Sequence, residues 1–215
     1  MQRKEEIKKI IKTAFGLFIF SFGEYLTILG NVGLTPWDSL SMAITNFVPL
    51  TFGQVHVGSA IIIMFIDLAM KEKIGIGTVL DALLVGTFVD MWTAVLPFSA
   101  VASKPLGYCL LIVGFFGMAL GQAVYMAGGL SCGPRDTLLV GIGKRLKKLP
   151  IGLVDIIIKV SLVIIAFLMK GPIGIGTLLA MVGMGTCMQL VFGLLKFEPR
   201  DVVHEGIVET IKNLK

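Results

Sequence analysis

Ile74-Gly75-Ile76-Gly77-Thr78 recurs without a change as Ile173-Gly174-Ile175-Gly176-Thr177. At the same offset of 99 residues, Leu80, Gly86 and Thr87 fall on Leu179, Gly185 and Thr186. Upstream, a shift of 98 places Gly16, Phe18, Gly23, Gly30, Pro36, Asp38 and Leu40 on Gly114, Phe116, Gly121, Gly128, Pro134, Asp136 and Leu138. Those are seven identities over 25 positions with no gap, against roughly two or three by chance in so apolar a chain. Self-similarity at a fixed spacing marks a duplicated structural unit. The chain therefore reads as two related halves, 13–97 and 106–196, joined by a short linker at 98–105. A basic N-terminal segment (1–12) and a tail (197–215) flank them.

The composition decides where such halves reside. Of the 215 residues, 55% are hydrophobic and 15% charged, and the mean hydropathy is +0.90. A soluble domain carries about 25% charged residues, so this chain cannot coat its surface with solvated side chains. From Thr13 to Met70 there is no Lys or Arg, and the only acids are Glu24, Asp38 and Asp67. Stretches of that length exceed the roughly 20 residues needed to cross a bilayer. The expectation is an all-α polytopic membrane protein; disordered chains, soluble enzymes, disulfide scaffolds and nucleic-acid binders are set aside. Cys109, Cys132 and Cys187 stand singly, in odd number and without metal-ligand spacing, so no disulfide framework, metal site or cofactor is expected. The first apolar stretch is long and lacks a small-residue cleavage site, unlike a secretory signal.

Each half repeats the same parts. A long apolar segment (13–30; 106–128) runs into a Gly-rich break and then Pro36-Trp37-Asp38 or Pro134-Arg135-Asp136. Proline at the first helical position with an acid two residues on is a helix start, because the missing N–H is unneeded there and the carboxylate faces the positive helix end. The helices so begun, 36–48 and 134–147, are too short to span the hydrocarbon layer. Two further spans follow in each half (52–70 and 76–97; 150–169 and 174–195). The fold expected is six transmembrane helices plus two short broken or re-entrant helices. An N-terminus in the cytoplasm puts 16 of the 19 basic residues inside, with Lys104 and Lys170 outside and Lys159 within a span. That agrees with the positive-inside rule and puts both termini in the cytoplasm. Three crossings per half make the two repeats inverted relative to one another. Short, Gly/Pro-interrupted segments at matching positions of inverted repeats mark the substrate site of secondary transporters, since unwound backbone is tolerated at membrane depth only where protein or a polar cavity surrounds it.

Gly33-Leu34-Thr35-Pro36-Trp37-Asp38 with Gly75-Ile76-Gly77-Thr78, and Gly133-Pro134-Arg135-Asp136 with Gly174-Ile175-Gly176-Thr177, resemble the paired motifs of bacterial YczE-type integral membrane proteins, a group that includes YyaS and is related to the YitT-like proteins. The resemblance covers residues 13–196. It implies a bacterial inner-membrane protein with a transport role and no assigned substrate, and it carries over no catalytic residue.

Ionisable groups at membrane depth are functional candidates by default. Asp38 and Asp136 are the symmetric pair at the two helix starts; they either face a central cavity or cap exposed backbone N–H groups. Arg135 replaces Trp37 in the second half, and its planar fork suits an acidic solute group or an internal carboxylate. Glu24, in mid-span, is matched by Gln122: the acid is a proton-coupling candidate and the amide a substrate-binding one. Asp81 and Asp90, nine residues apart on one span, point to opposite sides at 100° per residue, so one of them faces the cavity. They join Glu24 as proton-coupling candidates. Thr78 and Thr177 either cap the helices after the Gly-Ile-Gly turns or line the pathway. Asp155 and Lys159, four apart, are expected to pair. His56, aligned with Asp155, is either a pH-sensitive partner or, as is more usual for a lone His near a helix start, an ordinary hydrogen-bonded residue. The tail from Val202 to Lys215 is expected to form a helix lying on the membrane or the protein.

The functional expectation is a secondary transporter of a small polar or charged organic solute, coupled to protons, with the lipid bilayer and that solute as partners, no nucleic acid, and a homodimer left open. The alternative is a membrane protein with a regulatory or assembly role. Among the residues there is no His cluster or nucleophile–base arrangement to suggest an enzyme.

Overall fold

A computed structural model describes residues 2–202 and 204–214; Met1, Val203 and Lys215 of the two terminal segments lie outside the described residues. The described chain is all-helical: α1 (Gln2–Gly30), α2 (Pro36–Ile44), α3 (Phe52–Ala69), α4 (Ile76–Val95), α5 (Lys104–Met126), α6 (Pro134–Arg145), α7 (Ile151–Leu168), α8 (Ile175–Leu194), a 3-10 turn at Pro199–Asp201 and α9 (Ile207–Leu214). Six of these, α1, α3, α4, α5, α7 and α8, are long and apolar enough to cross a membrane. The short helices begin at the expected prolines and stop at Ile44 and Arg145.

The basic segment expected at 1–12 is not separate. Its residues 2–12 form the first turns of α1, because no Pro or Gly interrupts the chain before Gly16. The tail forms the expected helix only over Ile207–Leu214 (α9), and it is tied to the protein. Glu205 N–H donates to Gly129 O at 2.9 Å, Ile207 N–H donates to Ile74 O at 3.1 Å, and Lys9 pairs with Glu205 at 2.5 Å. Thr210 of α9 is itself buried.

The centre of the bundle is the α1–α5 crossing, where small residues let the backbones touch. A Cβ on Gly16 would lie 2.4 Å from Tyr125 N, and one on Gly23 would lie 2.6 Å from Gly114 O. Leu17, Leu111, Phe115 and Ala119 fill the remaining space around this crossing. Helix α4 packs against α1, and α8 packs against α5.

The backbone itself repeats at the offsets found in the sequence. Left-handed φ occurs at Asn31 and Gly129, at Gly33 and Ser131, and at Lys71 and Lys170, each pair 98 or 99 residues apart. Gly77 N–H donates to Leu130 O at 2.7 Å, and Gly176 N–H donates to Val32 O at 2.8 Å. Each Gly-Ile-Gly turn thus docks on the other half's break. Gly33, at φ 112°, could bear no side chain, since a Cβ would sit 2.8 Å from Thr177.

The short helices also cross over. Ser39 of α2 donates to Pro172 O at 3.4 Å, and Asn46 reaches Lys170 O at 3.4 Å, both in the loop after α7. Conversely, Lys144 of α6 meets Glu72 at 2.5 Å and Arg145 donates to Met70 O at 2.6 Å, in the loop after α3. The helix starts, in contrast, point toward one another in the interior.

One equivalence fails. Gly53 of α3 and Gly86 of α4 are in backbone contact, with a Cβ on Gly53 only 2.1 Å from Gly86 O. Their counterparts Gly152 of α7 and Gly185 of α8 have nothing within 4 Å. Helix α3 packs along α4, whereas α7 makes no comparable contact with α8.

Candidate functional site

The site grows from the two proline-led starts. Thr35 accepts a hydrogen bond from Asp38 N–H at 3.4 Å and donates its hydroxyl to Asp38 Oδ2 at 2.5 Å, which fixes the carboxyl at the first turn of α2. Arg135, second residue of α6, crosses to Asp38 Oδ1 at 3.1 Å. Its guanidinium lies over the Trp37 ring, 5.2 Å from the centroid, and comes within 3.4 Å of His56 Nδ1. The residues that differ between the halves at this position, Trp37 and Arg135, therefore stack on one another. Asp38 is 1% exposed, so the ion pair is what compensates its charge.

Behind this pair, Glu24 of α1 is fully buried, with Oε1 3.2 Å from His56 Nδ1. Neither Glu24 oxygen has a hydrogen-bond partner among the described residues. On the other side, Tyr125 of α5 donates its hydroxyl to Asp136 at 3.4 Å and accepts from Gly133 N–H at 3.3 Å. Asp81 of α4 lies against Gly133, where a Cβ would approach its carboxylate to 2.9 Å.

Two cavities meet here, sharing Gln122, Arg135 and Asp136. The smaller, about 90 Å³, is lined by Phe20, His56, Asp81 and Tyr125. The larger, about 190 Å³, has one polar wall of Trp37, Asp38, Asp155 and Lys159 and one apolar wall of Met118, Met184 and Met188. It lies beside the splayed α7 and α8. Both volumes fall below the roughly 300–1,000 Å³ of drug-sized sites. A third cavity of about 420 Å³ opens beside Lys71, Lys73 and Lys144 and reaches Asp136. Cys132 also lines it, its Sγ 3.7 Å from His204 Nε2. Burial, reinforced by Asp136 and Asp81, pushes the Cys132 thiol up to about 12, so it stays protonated at neutral pH.

The acids lining the two central cavities are not all paired. Asp155 pairs with Lys159 at 2.6 Å, as their spacing predicts, and Asp38 pairs with Arg135. Asp81 and Asp136 have no basic partner among the described residues.

Of the residues singled out in the sequence, Trp37, Asp38, Arg135, Asp136, Gln122, Asp81 and Glu24 are thus brought together. Three are not. Asp90 accepts from Gly53 N–H at 2.9 Å and from the Thr51 hydroxyl, which makes it a cap for α3, away from the central cavities. Thr78 donates to Cys132 O at 2.7 Å and accepts from Gly75 N–H at 3.3 Å. Thr177 accepts from Gly174 N–H at 3.3 Å. Both threonines are fully buried, and their hydroxyls fasten the Gly-Ile-Gly turns rather than line a cavity. Sequence reasoning missed His56, which joins Glu24 to Arg135, and Tyr125. The alignment of His56 with cavity-lining Asp155 was the signal for the first; nothing in the sequence marked the second.

Comparison with known proteins agrees with this architecture. No solved structure matches the chain. It is 30% identical over 191 residues to an uncharacterized protein of Haemophilus influenzae, covering 88% of this chain and 86% of that one. It is 31% identical over 181 residues to the uncharacterized membrane protein YczE of Bacillus subtilis, covering 81% and 80%. The uncharacterized protein YyaS of the same organism is 29% identical over 174 residues, covering 80% and 86%. A family of unknown function, DUF6198, matches residues 7–192. With six apolar helices and homologues named YczE and YyaS, the chain belongs to the DUF6198 family and is a helical membrane protein of the YczE type.

Proposed function

We propose that the protein is a secondary carrier, not an enzyme, and that it moves a small charged organic solute with a cationic group across the bacterial inner membrane, coupled to protons. In this reading the halves are inverted repeats, both termini are cytoplasmic, and the halves open alternately. The Arg135–Asp38 contact supports it most: two broken-helix starts meet at the polar wall of a small cavity, the arrangement secondary transporters use for binding. The reciprocal docking of turns and short helices is what a pseudo-two-fold axis in the membrane plane produces. The asymmetric glycine contacts favour motion, with α3–α4 closed and α7–α8 open. Exchange of those two arrangements alternates access.

The solute's charge follows from pairing. Arg135 is engaged by Asp38, so the anionic solute group considered from sequence has no free partner there. Asp81 and Asp136 remain to receive a positive group, with Tyr125 and Gln122 as neutral hydrogen-bonding neighbours. Glu24 carries the coupling proton.

Proteoliposome uptake with a panel of small organic amines and zwitterions under a pH gradient tests this. Saturable uptake is expected, falling at least tenfold in Asp136→Asn and Glu24→Gln while the variants still fold. Absence of flux and of ligand-induced stabilisation across the panel would favour a regulatory or assembly role instead.

A further inference from the structure

We propose that Glu24, Asp38 and His56 form a buried site for one divalent transition-metal ion, and that the ion competes with the Arg135 guanidinium for it. The three side chains come from α1, α2 and α3, all are buried, and their ligand atoms lie within 4.8 Å of one another. Donors on a single ion at about 2.1 Å stand roughly 3.4 Å apart in tetrahedral geometry, so closure requires side-chain shifts of about 1 Å or a little more.

Two features call for a positive ligand there. Glu24 is fully buried, and neither carboxyl oxygen makes a well-formed hydrogen bond among the described residues; a buried polar group in that condition is costly. Second, His56 Nδ1 is asked for two incompatible things. It lies 3.2 Å from Glu24 Oε1, where the ionised carboxylate requires an N–H. It also lies 3.4 Å from Arg135 NH2, where only a lone pair accepts a guanidinium hydrogen. One nitrogen cannot do both. A metal ion resolves the conflict by taking the Nδ1 lone pair and a carboxylate oxygen together.

Two hard carboxylates and one borderline imidazole form a mixed donor set suited to zinc, manganese, iron or cobalt. A divalent ion also neutralises both acids, which matters where water is excluded. Thr35 holds Asp38 Oδ2 and leaves Oδ1 to turn between the guanidinium and the ion, the orienting role that outer-shell partners play in metal sites. Arg135 is incompletely satisfied: its Nε is buried without a hydrogen-bond partner among the described residues, and Asp136 is its neighbour on α6. Metal occupancy would free the guanidinium from Asp38 and His56 and turn it toward Asp136.

The test uses the full chain, purified in detergent and stripped with chelator, titrated with Co²⁺, Zn²⁺ and Mn²⁺. One ion per chain is expected, with Co²⁺ giving a visible absorption band and a shifted His56 imidazole resonance. Glu24→Gln and His56→Gln should each weaken binding at least tenfold, Glu5→Gln, in an exposed pair with Lys8, should leave it unchanged, and Arg135→Gln should tighten it about tenfold. The His56 resonance in the unsubstituted protein keeps the test valid if a variant fails to fold. No ion bound at millimolar metal, or binding indifferent to Glu24→Gln and His56→Gln, overturns the site. Weaker binding in Arg135→Gln overturns the competition. Binding is read without flux, so the outcome is separate from that of the uptake assay.

Discussion

Gly53→Val is expected to destabilise the protein severely, whereas Gly152→Val, at the matching position of the other half, should melt within a few degrees of the parent and yet lose uptake. A side chain at Gly53 meets the Gly86 carbonyl at 2.1 Å and the Asp90 carboxyl at 2.5 Å. The first obstacle is backbone, so relief requires prising α3 from α4 and breaking the Asp90 bond to Gly53 N–H. Overpacking in a tight core costs about 1–3 kcal/mol and sometimes more; a backbone clash belongs at the upper end. At about 3 kcal/mol, a chain of this size loses roughly 6–12 °C in Tm. Gly152 meets nothing within 4 Å, so valine there is accommodated in the state described. If α7 must close on α8 during the cycle as α3 does on α4, the same valine blocks closure. Melting and uptake measured side by side decide the matter. Equal destabilisation at both positions, or full uptake in Gly152→Val, contradicts the expectation.

The second large effect is at Arg135. Arg135→Met leaves the Asp38 carboxyl, 1% exposed, without its ion-pair partner, and breaking a buried pair in this way costs about 3–5 kcal/mol. Arg135 itself is 21% exposed, so the lower end, about 3 kcal/mol, is expected. Adding Asp38→Asn removes the stranded charge while keeping the side chain's shape. The double variant should therefore be more stable than Arg135→Met alone, with a coupling of at least about 1.5 kcal/mol in a double-mutant cycle. Denaturation in detergent measures it. Additive losses would mean that the two residues act independently, despite their 3.1 Å contact.

Much of this was legible in the sequence, for physical reasons. Apolar length specifies spans, so all six appear, five of them within a few residues of their expected bounds and α1 begun eleven residues early by the basic segment. Proline fixes its own φ and needs no N–H donor, which is why both short helices start at Pro36 and Pro134. The recurrence of identical residues also carried their conformations, as the left-handed backbone at Lys71 and Lys170 illustrates. Other features arise only in three dimensions. His56 became central because α1, α2 and α6 bring Glu24, Asp38 and Arg135 to it, and no spacing along the chain encodes that meeting. Thr78 and Thr177 offered the same hydroxyl to two roles, and the nearby Gly75 and Gly174 N–H groups decided for the turn. Asp90 was claimed by the start of α3, whose Thr51 and Gly53 are far from it in sequence. The difference between Gly53–Gly86 and Gly152–Gly185 was invisible for the opposite reason: the residues are identical, and the sequence has no means of saying which pair is closed.

The alternation of the two halves is tested most directly by spin-label distances. One label pair goes on the exposed positions Gly58 and Thr87, and the matching pair on exposed Ile157 and Thr186, in proteoliposomes with and without a transported amine or a pH gradient. The account predicts reciprocal shifts: the α7–α8 pair shortens as the α3–α4 pair lengthens. Two distances that stay fixed under every condition, or that change in the same sense, would contradict it.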